Sequence, residues 1–144
     1  MQLALTEFGA RGYADVGVTE LARGADVTIG SLYHHFGSKT GLYSTVREDV
    51  EQRVLDRMEG AAAISPDDLG AALIVGFDYL VRAGYTRLLA EPHPERDGDP
   101  IEDFLAVRSG VPQNRIVIAA WRAALLAAAD GPESARAALR AVIH

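Results

Sequence analysis

Residues 28–39 read TIGSLYHHFGSK and carry hydroxyls at Thr28, Ser31 and Ser38, a phenol at Tyr33, imidazoles at His34 and His35, and an amine at Lys39. Hydroxyls, imidazoles and amines are partners for phosphate oxygens and base edges, and a small residue such as Gly30 lets a helix N-terminus sit deep in a major groove. A second concentration of reactive groups, Glu91, His93, Glu95, Asp97 and Asp99, falls within one short stretch. Its proline-broken spacing matches no ligand motif such as two histidines one helical turn apart, so it reads as a solvated loop. No catalytic residue, metal site or cofactor is predicted. Cysteine is absent, which excludes disulfides, thiolate zinc sites and cysteine nucleophiles.

Those groups sit in a chain of 144 residues, 49% hydrophobic and 24% charged, the make-up of a globular protein able to bury a core. The net charge of -6 argues against general polyanion binding, so any nucleic-acid contact must be local. The longest apolar tract, residues 116–129, is interrupted by Arg122 and is shorter than the roughly 20 residues a membrane span needs. The N-terminus has no basic region ahead of an apolar core. A cytoplasmic protein without a membrane partner is the expectation.

The elements that must position these groups are helical, with no strand alternation anywhere. Leu3, Leu5 and Phe8 mark a first helix that Gly9 and Gly12 bring to an end. Gly17 followed by Glu20 opens a second through Arg23, and residues 24–27 form a tight turn. Thr28 caps a third helix with Leu32 and Phe36 on one face, closed by Gly37. Ser38 caps a fourth over residues 39–59, striped by Leu42, Val46, Val50, Val54 and Met58. Ser65 with Pro66 starts a fifth, to about Ala83, carrying Leu69, Leu73, Phe77 and Leu80. A short helix over residues 85–90, a loop over 91–98, and a helix from Asp99 to about Arg108 follow. After Gly110 and Pro112 comes a helix over residues 115–130 that is apolar on nearly every side and must be buried all round, in its own domain or against a partner. Gly131 and Pro132 start the last helix, striped by Ala135, Leu139 and Val142.

Helix, short turn and second helix is the layout of a helix-turn-helix DNA reader. Leu21, Ala22, Val27, Leu32 and Phe36 would make its inner contacts, leaving Thr28, Ile29, Gly30, Ser31, Tyr33, His34 and Lys39 outside. The run from Gly12 to Leu42, with Gly12-Tyr13, Leu21-Ala22, Val27-Thr28, Gly30, Leu32-Tyr33, His35-Phe36 and Ser38-Lys39 at fixed offsets, closely resembles the DNA-binding unit of the TetR (tetracycline-repressor-type) family of bacterial transcriptional regulators. The resemblance covers about the first third of the chain. It implies that Thr28, Tyr33 and Lys39 hold phosphates, while Ile29, Gly30, Ser31 and His34 face base edges or the adjoining backbone.

Three features depart from the family pattern. Gly17 stands where a threonine or serine usually caps the second helix, and Asp26 where the turn usually has glycine. The first helix also looks truncated. Residues 1–59 hold six Lys/Arg against nine Asp/Glu, a balance of -3, which predicts modest and strongly salt-dependent affinity.

The resulting expectation is an all-α protein: a helix-turn-helix DNA-binding domain over residues 1–45, then a helical ligand-binding and dimerisation domain over 46–144. The resemblance implies a homodimer paired through the last two helices, double-stranded operator DNA as partner, and a small-molecule effector that releases a repressor. Phe77, Tyr79, Tyr85, Phe104 and Trp121 are the aromatic candidates for an effector pocket. Arg122, a charge inside an apolar helix, needs a partner, either Asp78 or another acid or an anionic ligand. The competing expectation is a dimeric helical ligand-binding or interaction protein that has lost DNA binding.

Overall fold

The computed structural model describes residues 1–110 and 114–143, and every regular element among them is an α-helix. In chain order these are α1 (Gln2–Arg11), α2 (Val18–Gly24), α3 (Ile29–Phe36), α4 (Lys39–Ile64), α5 (Leu69–Ala83), α6 (Thr86–Ala90), α7 (Pro100–Ser109), α8 (Asn114–Ala127) and α9 (Pro132–Ile143). The all-α expectation holds. No helix among the described residues is long and apolar enough to cross a membrane.

The spine is α4. Its predicted stripe, Leu42, Val46, Val50, Val54 and Met58, is buried throughout, and Ala62 extends it. With apolar side chains at spacings of four, one face of the helix is covered along its whole length. Helices α1, α3, α5, α6 and α7 all pack against it. The division at 45/46 falls inside this helix, and the buried residues on either side, from Ala4 to Leu139, form one cluster.

Several expected boundaries are corrected. Gly9 does not end α1 but lies buried within it. A Cβ there would stand 2.7 Å from Cδ1 of Tyr85 and 3.0 Å from the Gly84 carbonyl oxygen, so this glycine lets α1 press against the start of α6. Gly12 is the true terminus, at φ 83. Helix α4 runs on through Gly60 to Ile64. Three alanines follow Gly60, and their helix propensity together with burial of Ala62 outweighs the roughly 1 kcal/mol a glycine costs. Ser65, predicted to cap the next helix, is instead where α4 stops, because a residue before proline is pushed out of the α region. Asp68 caps α5, its carboxylate accepting from the Ala71 N–H at 3.0 Å. Pro112 lies outside the described residues.

Helix α8 is not buried all round in the single chain. Ile118, Trp121, Ala124 and Leu125 face inward, whereas Ile116 is 70% exposed and Leu126 is also open. The last stripe divides likewise, with Ala135 and Leu139 buried and Val142 exposed.

Candidate nucleic-acid interface and effector pocket

Local chemistry builds the reading unit. Thr28 Oγ1 accepts the Ser31 N–H at 3.0 Å, satisfying one of the free donors at the start of α3 and fixing where the helix begins. The turn before it requires a left-handed residue, and Asp26 fills that position at φ 57. Gly37 ends α3 at φ 80. Ser38 then caps α4, accepting the Gly41 N–H at 3.0 Å. Gly41 must itself be glycine: a Cβ on it would collide with the Phe36 carbonyl oxygen, so the end of α3 and the start of α4 meet backbone to backbone.

Helix α3 has no fully buried residue. Leu32 and Phe36 are half-buried against the core, and Leu21 and Ala22 of α2 are buried beneath them. Val27 departs from the expected inner contact and is 43% exposed, because the left-handed step at Asp26 turns it outward. Of the predicted contact residues, Thr28, Ile29, Gly30, Ser31, Tyr33 and His34 all lie exposed, with Tyr33 at 41%. The side-chain polar groups of Ser31, Tyr33 and His34 make no hydrogen bond among the described residues.

Lys39 is half-buried, and its Nζ lies 4.5 Å from the centroid of the Tyr13 ring. The Tyr13 hydroxyl is 2.7 Å from Thr40 Oγ1. An aromatic face attracts a cation and limits the directions it samples, so Tyr13 positions Lys39. Sequence reasoning gave Tyr13 and Thr40 no role; Tyr13 was visible only as half of a Gly-Tyr pair. The acidic balance of residues 1–59 is also unevenly placed. Its nine acids fall at positions 7–26 and 48–59, and residues 27–47 contain none.

The predicted effector residues are not gathered around one opening. Phe77, Phe104 and Trp121 are buried in the core, and the Trp121 indole N–H donates to the Leu73 carbonyl at 2.9 Å. Tyr79 lies under the Arg57 guanidinium at 3.9 Å, and Tyr85 covers Gly9. Arg122 pairs with Asp99 rather than with Asp78, and its Nη1 also donates to the carbonyls of Leu89 and Glu91, each at 3.1 Å. Asp78 is taken by Arg136. Burial, with Arg47 next in weight, lowers Arg122 to about 10, still charged at neutral pH.

The loop over residues 91–98 is solvated at Pro92, Pro94, Glu95, Asp97 and Gly98, as expected, but its Glu91, His93 and Arg96 strap it to α4. Arg47 is 1% exposed and Glu51 2%. Arg47 Nε reaches Glu51 at 3.3 Å, and its Nη1 donates to the Tyr43 hydroxyl and to the carbonyls of Leu88 and Glu91. Arg96 grips both oxygens of Glu51, at 3.1 and 2.6 Å. His93 Nδ1 accepts the Glu95 N–H, so Nε2 carries the proton and donates to Ser44 Oγ at 2.8 Å. Asp99 caps α7 through the N–H groups of Ile101 and Glu102. Glu91, His93 and Asp99 are thus committed to holding the chain together, whereas Glu95 and Asp97 are exposed.

A capped, exposed α3 set against α2 and braced by α4 has the layout of a helix-turn-helix unit. Residues 1–46 match the family model described as bacterial regulatory proteins, tetR family. This match covers about the first third of the chain. The chain is also similar to the A-factor receptor protein of Streptomyces griseus, 33% identical over 102 residues. The match covers 65% of this chain and 37% of that relative, so the chain spans well under half of the curated relative's length.

Proposed function

We propose that this protein is a homodimeric TetR-type repressor that reads operator DNA with α3 and is released by a small-molecule effector. The observation that carries the DNA reading is the exposed side of α3. Ser31, Tyr33 and His34 offer polar groups that no neighbour uses, on a helix whose caps and inner residues already fix its pose. Thr28 and Tyr33 on α3, with Lys39 steered by Tyr13, serve phosphates. Ile29, Gly30, Ser31 and His34 face the base edges or the adjoining backbone. The positive ends of α3 and α4 add to the attraction for phosphate in a segment that contains no acid.

Dimerisation is supported by the outer faces of α8 and α9. An alanine-lined groove of about 300 Å³ runs between them, bordered by Ala120, Ala127, Ala138 and Val142. Small side chains permit close helix approach, and two such pairs make a symmetric four-helix contact. Two copies of α3 would then address successive major grooves. Effector release is supported by the family and by the relative, which is named a receptor. A ligand releases DNA by favouring a conformation that binds DNA poorly.

Fluorescence anisotropy against fragments flanking the gene, at several salt concentrations, tests the reading. Sequence-selective binding that weakens steeply with salt supports it. The competing reading, a ligand-binding dimer without DNA binding, draws on the overall acidic balance and on Gly17 and Asp26. It would be favoured by a dimer that shows no selectivity even at low salt.

A further inference from the structure

Between α4, the strap over residues 91–98 and α8 lies a cavity of about 180 Å³, well below the roughly 300–1,000 Å³ of sites for drug-sized ligands. Its wall includes the guanidinium-bearing residues Arg47, Arg96 and Arg122, with His93, Pro92 and Ile118. The acids that balance these charges are already occupied. Arg96 holds both oxygens of Glu51. Asp99 is divided between the α7 N-terminus and Arg122, and Glu102 pairs with Arg115.

One group in the cavity wall is left over. Arg47 is almost completely buried, its Nε and Nη1 are engaged, and its Nη2 makes no hydrogen bond among the described residues. This nitrogen is not sealed off, since the buried side-chain nitrogen without an acceptor among the described residues is Arg87 Nε, and an oxyanion is the group that best completes an open guanidinium donor. Asp97, exposed and also in the cavity wall, would repel a second negative charge. Ile118 and Pro92 add a short apolar surface to the wall.

From this geometry we infer that the cavity is a binding site for a compact monocarboxylate, its carboxylate on Arg47 and Arg122 and its short apolar end against Ile118 and Pro92. The role of effector rests on the regulator reading above; the binding itself does not. The strap that closes the cavity also reaches the DNA-binding unit. His93 donates to Ser44 near the start of α4, and Glu91 stands so close to Gly12 that a Cβ there would lie 2.8 Å from Glu91 Oε1. Occupancy therefore bears on the elements that carry α3.

Titration of the full chain with propionate, propionamide and inorganic phosphate, followed by amide chemical shifts, tests the site. Saturable propionate binding is expected, with shifts confined to residues 44–51, 91–99 and 118–122 and none from propionamide. Arg122→Gln should weaken propionate about tenfold, as loss of a charge-assisted bond does. Asp97→Asn, on the exposed rim, should tighten it about twofold by removing a like charge. No saturable propionate binding, equal binding of propionamide, phosphate binding as tight as propionate, or an Asp97→Asn protein with unchanged affinity would each overturn the site. DNA binding measured on the same samples without ligand separates the two readings. Selective DNA binding without propionate binding removes only the carboxylate site. Propionate binding without DNA binding sustains the site and removes the repressor.

Discussion

Helices α3 and α4 both carry polar and aromatic side chains amid apolar ones, yet the two regions use them in opposite ways. On α4 the charged residues Arg47 and Glu51 face inward and, Arg47 Nη2 apart, are consumed by Tyr43, Arg96 and the carbonyls of Leu88 and Glu91. On α3 only Thr28, at its cap, is engaged, and Ser31, Tyr33 and His34 are left open. Buried charge must be satisfied by its own protein, because desolvation costs more than a single contact returns. Exposed polar groups on a helix fixed by its caps are free to meet another molecule. Polar side chains thus mark structure in the strap and, under the proposed function, recognition in α3.

The sharpest way to break this contrast is to unbalance the buried side. Glu51→Leu leaves Arg47 and Arg96 unpaired and should cost about 3–5 kcal/mol, read by chemical denaturation. A loss below about 1 kcal/mol, the range of exposed pairs, would show the network to be solvated. Next in size is Gly41→Ala. Its added Cβ forces the end of α3 away from α4, which should cost roughly 1–3 kcal/mol and abolish selective DNA binding while the dimer persists. Gel filtration beside anisotropy checks both halves.

On the open side, Tyr33→Phe and Lys39→Ala should leave stability nearly unchanged. Each should weaken DNA about fivefold, the worth of roughly 1 kcal/mol. Lys39→Ala should in addition reduce the salt slope by about 1. Undiminished DNA binding by both proteins would remove the phosphate assignments.

The smallest effect is a pH dependence. Burial, reinforced by Arg96 and Arg47 and opposed by Glu51 and Glu48, holds His93 below its ordinary value of 6.5. Above pH 6.5 the residue is neutral in both folded and unfolded chains, and its contribution is complete. As pH falls below 6.5 the unfolded chain takes up a proton that the fold resists, so stability declines until the folded value is passed. Thermal unfolding of His93→Gln should show less of this decline than the parent.

Much of this contrast was legible in the sequence where the signal is local. Thr28, Gly37, Ser38 and the Asp99–Pro100 start act through neighbours within four residues, and α3 and α7 begin where their caps predict. What was misread depends on distant partners. Gly9 resembles a helix end until Tyr85 packs on it, while Arg122 does find an acid, as expected, but which acid, Asp99, no local signal gives. Val27 looks like core by type, but the backbone step at Asp26 exposes it. Glu95 and Asp97 are solvated as expected, but Glu91, His93 and Asp99 also looked so because nothing local announces that Arg47 and Glu51 are buried beneath them.

The central claim is that the open side of α3 reads base edges. Its most direct test is the ratio of affinities for a selected operator and a scrambled duplex of equal length, measured by anisotropy for the parent and for Ser31→Ala with His34→Ala. The account predicts that the double variant keeps its affinity for the scrambled duplex and loses roughly tenfold or more on the operator, the worth of a base-edge contact. An unchanged ratio in a folded dimer would contradict it.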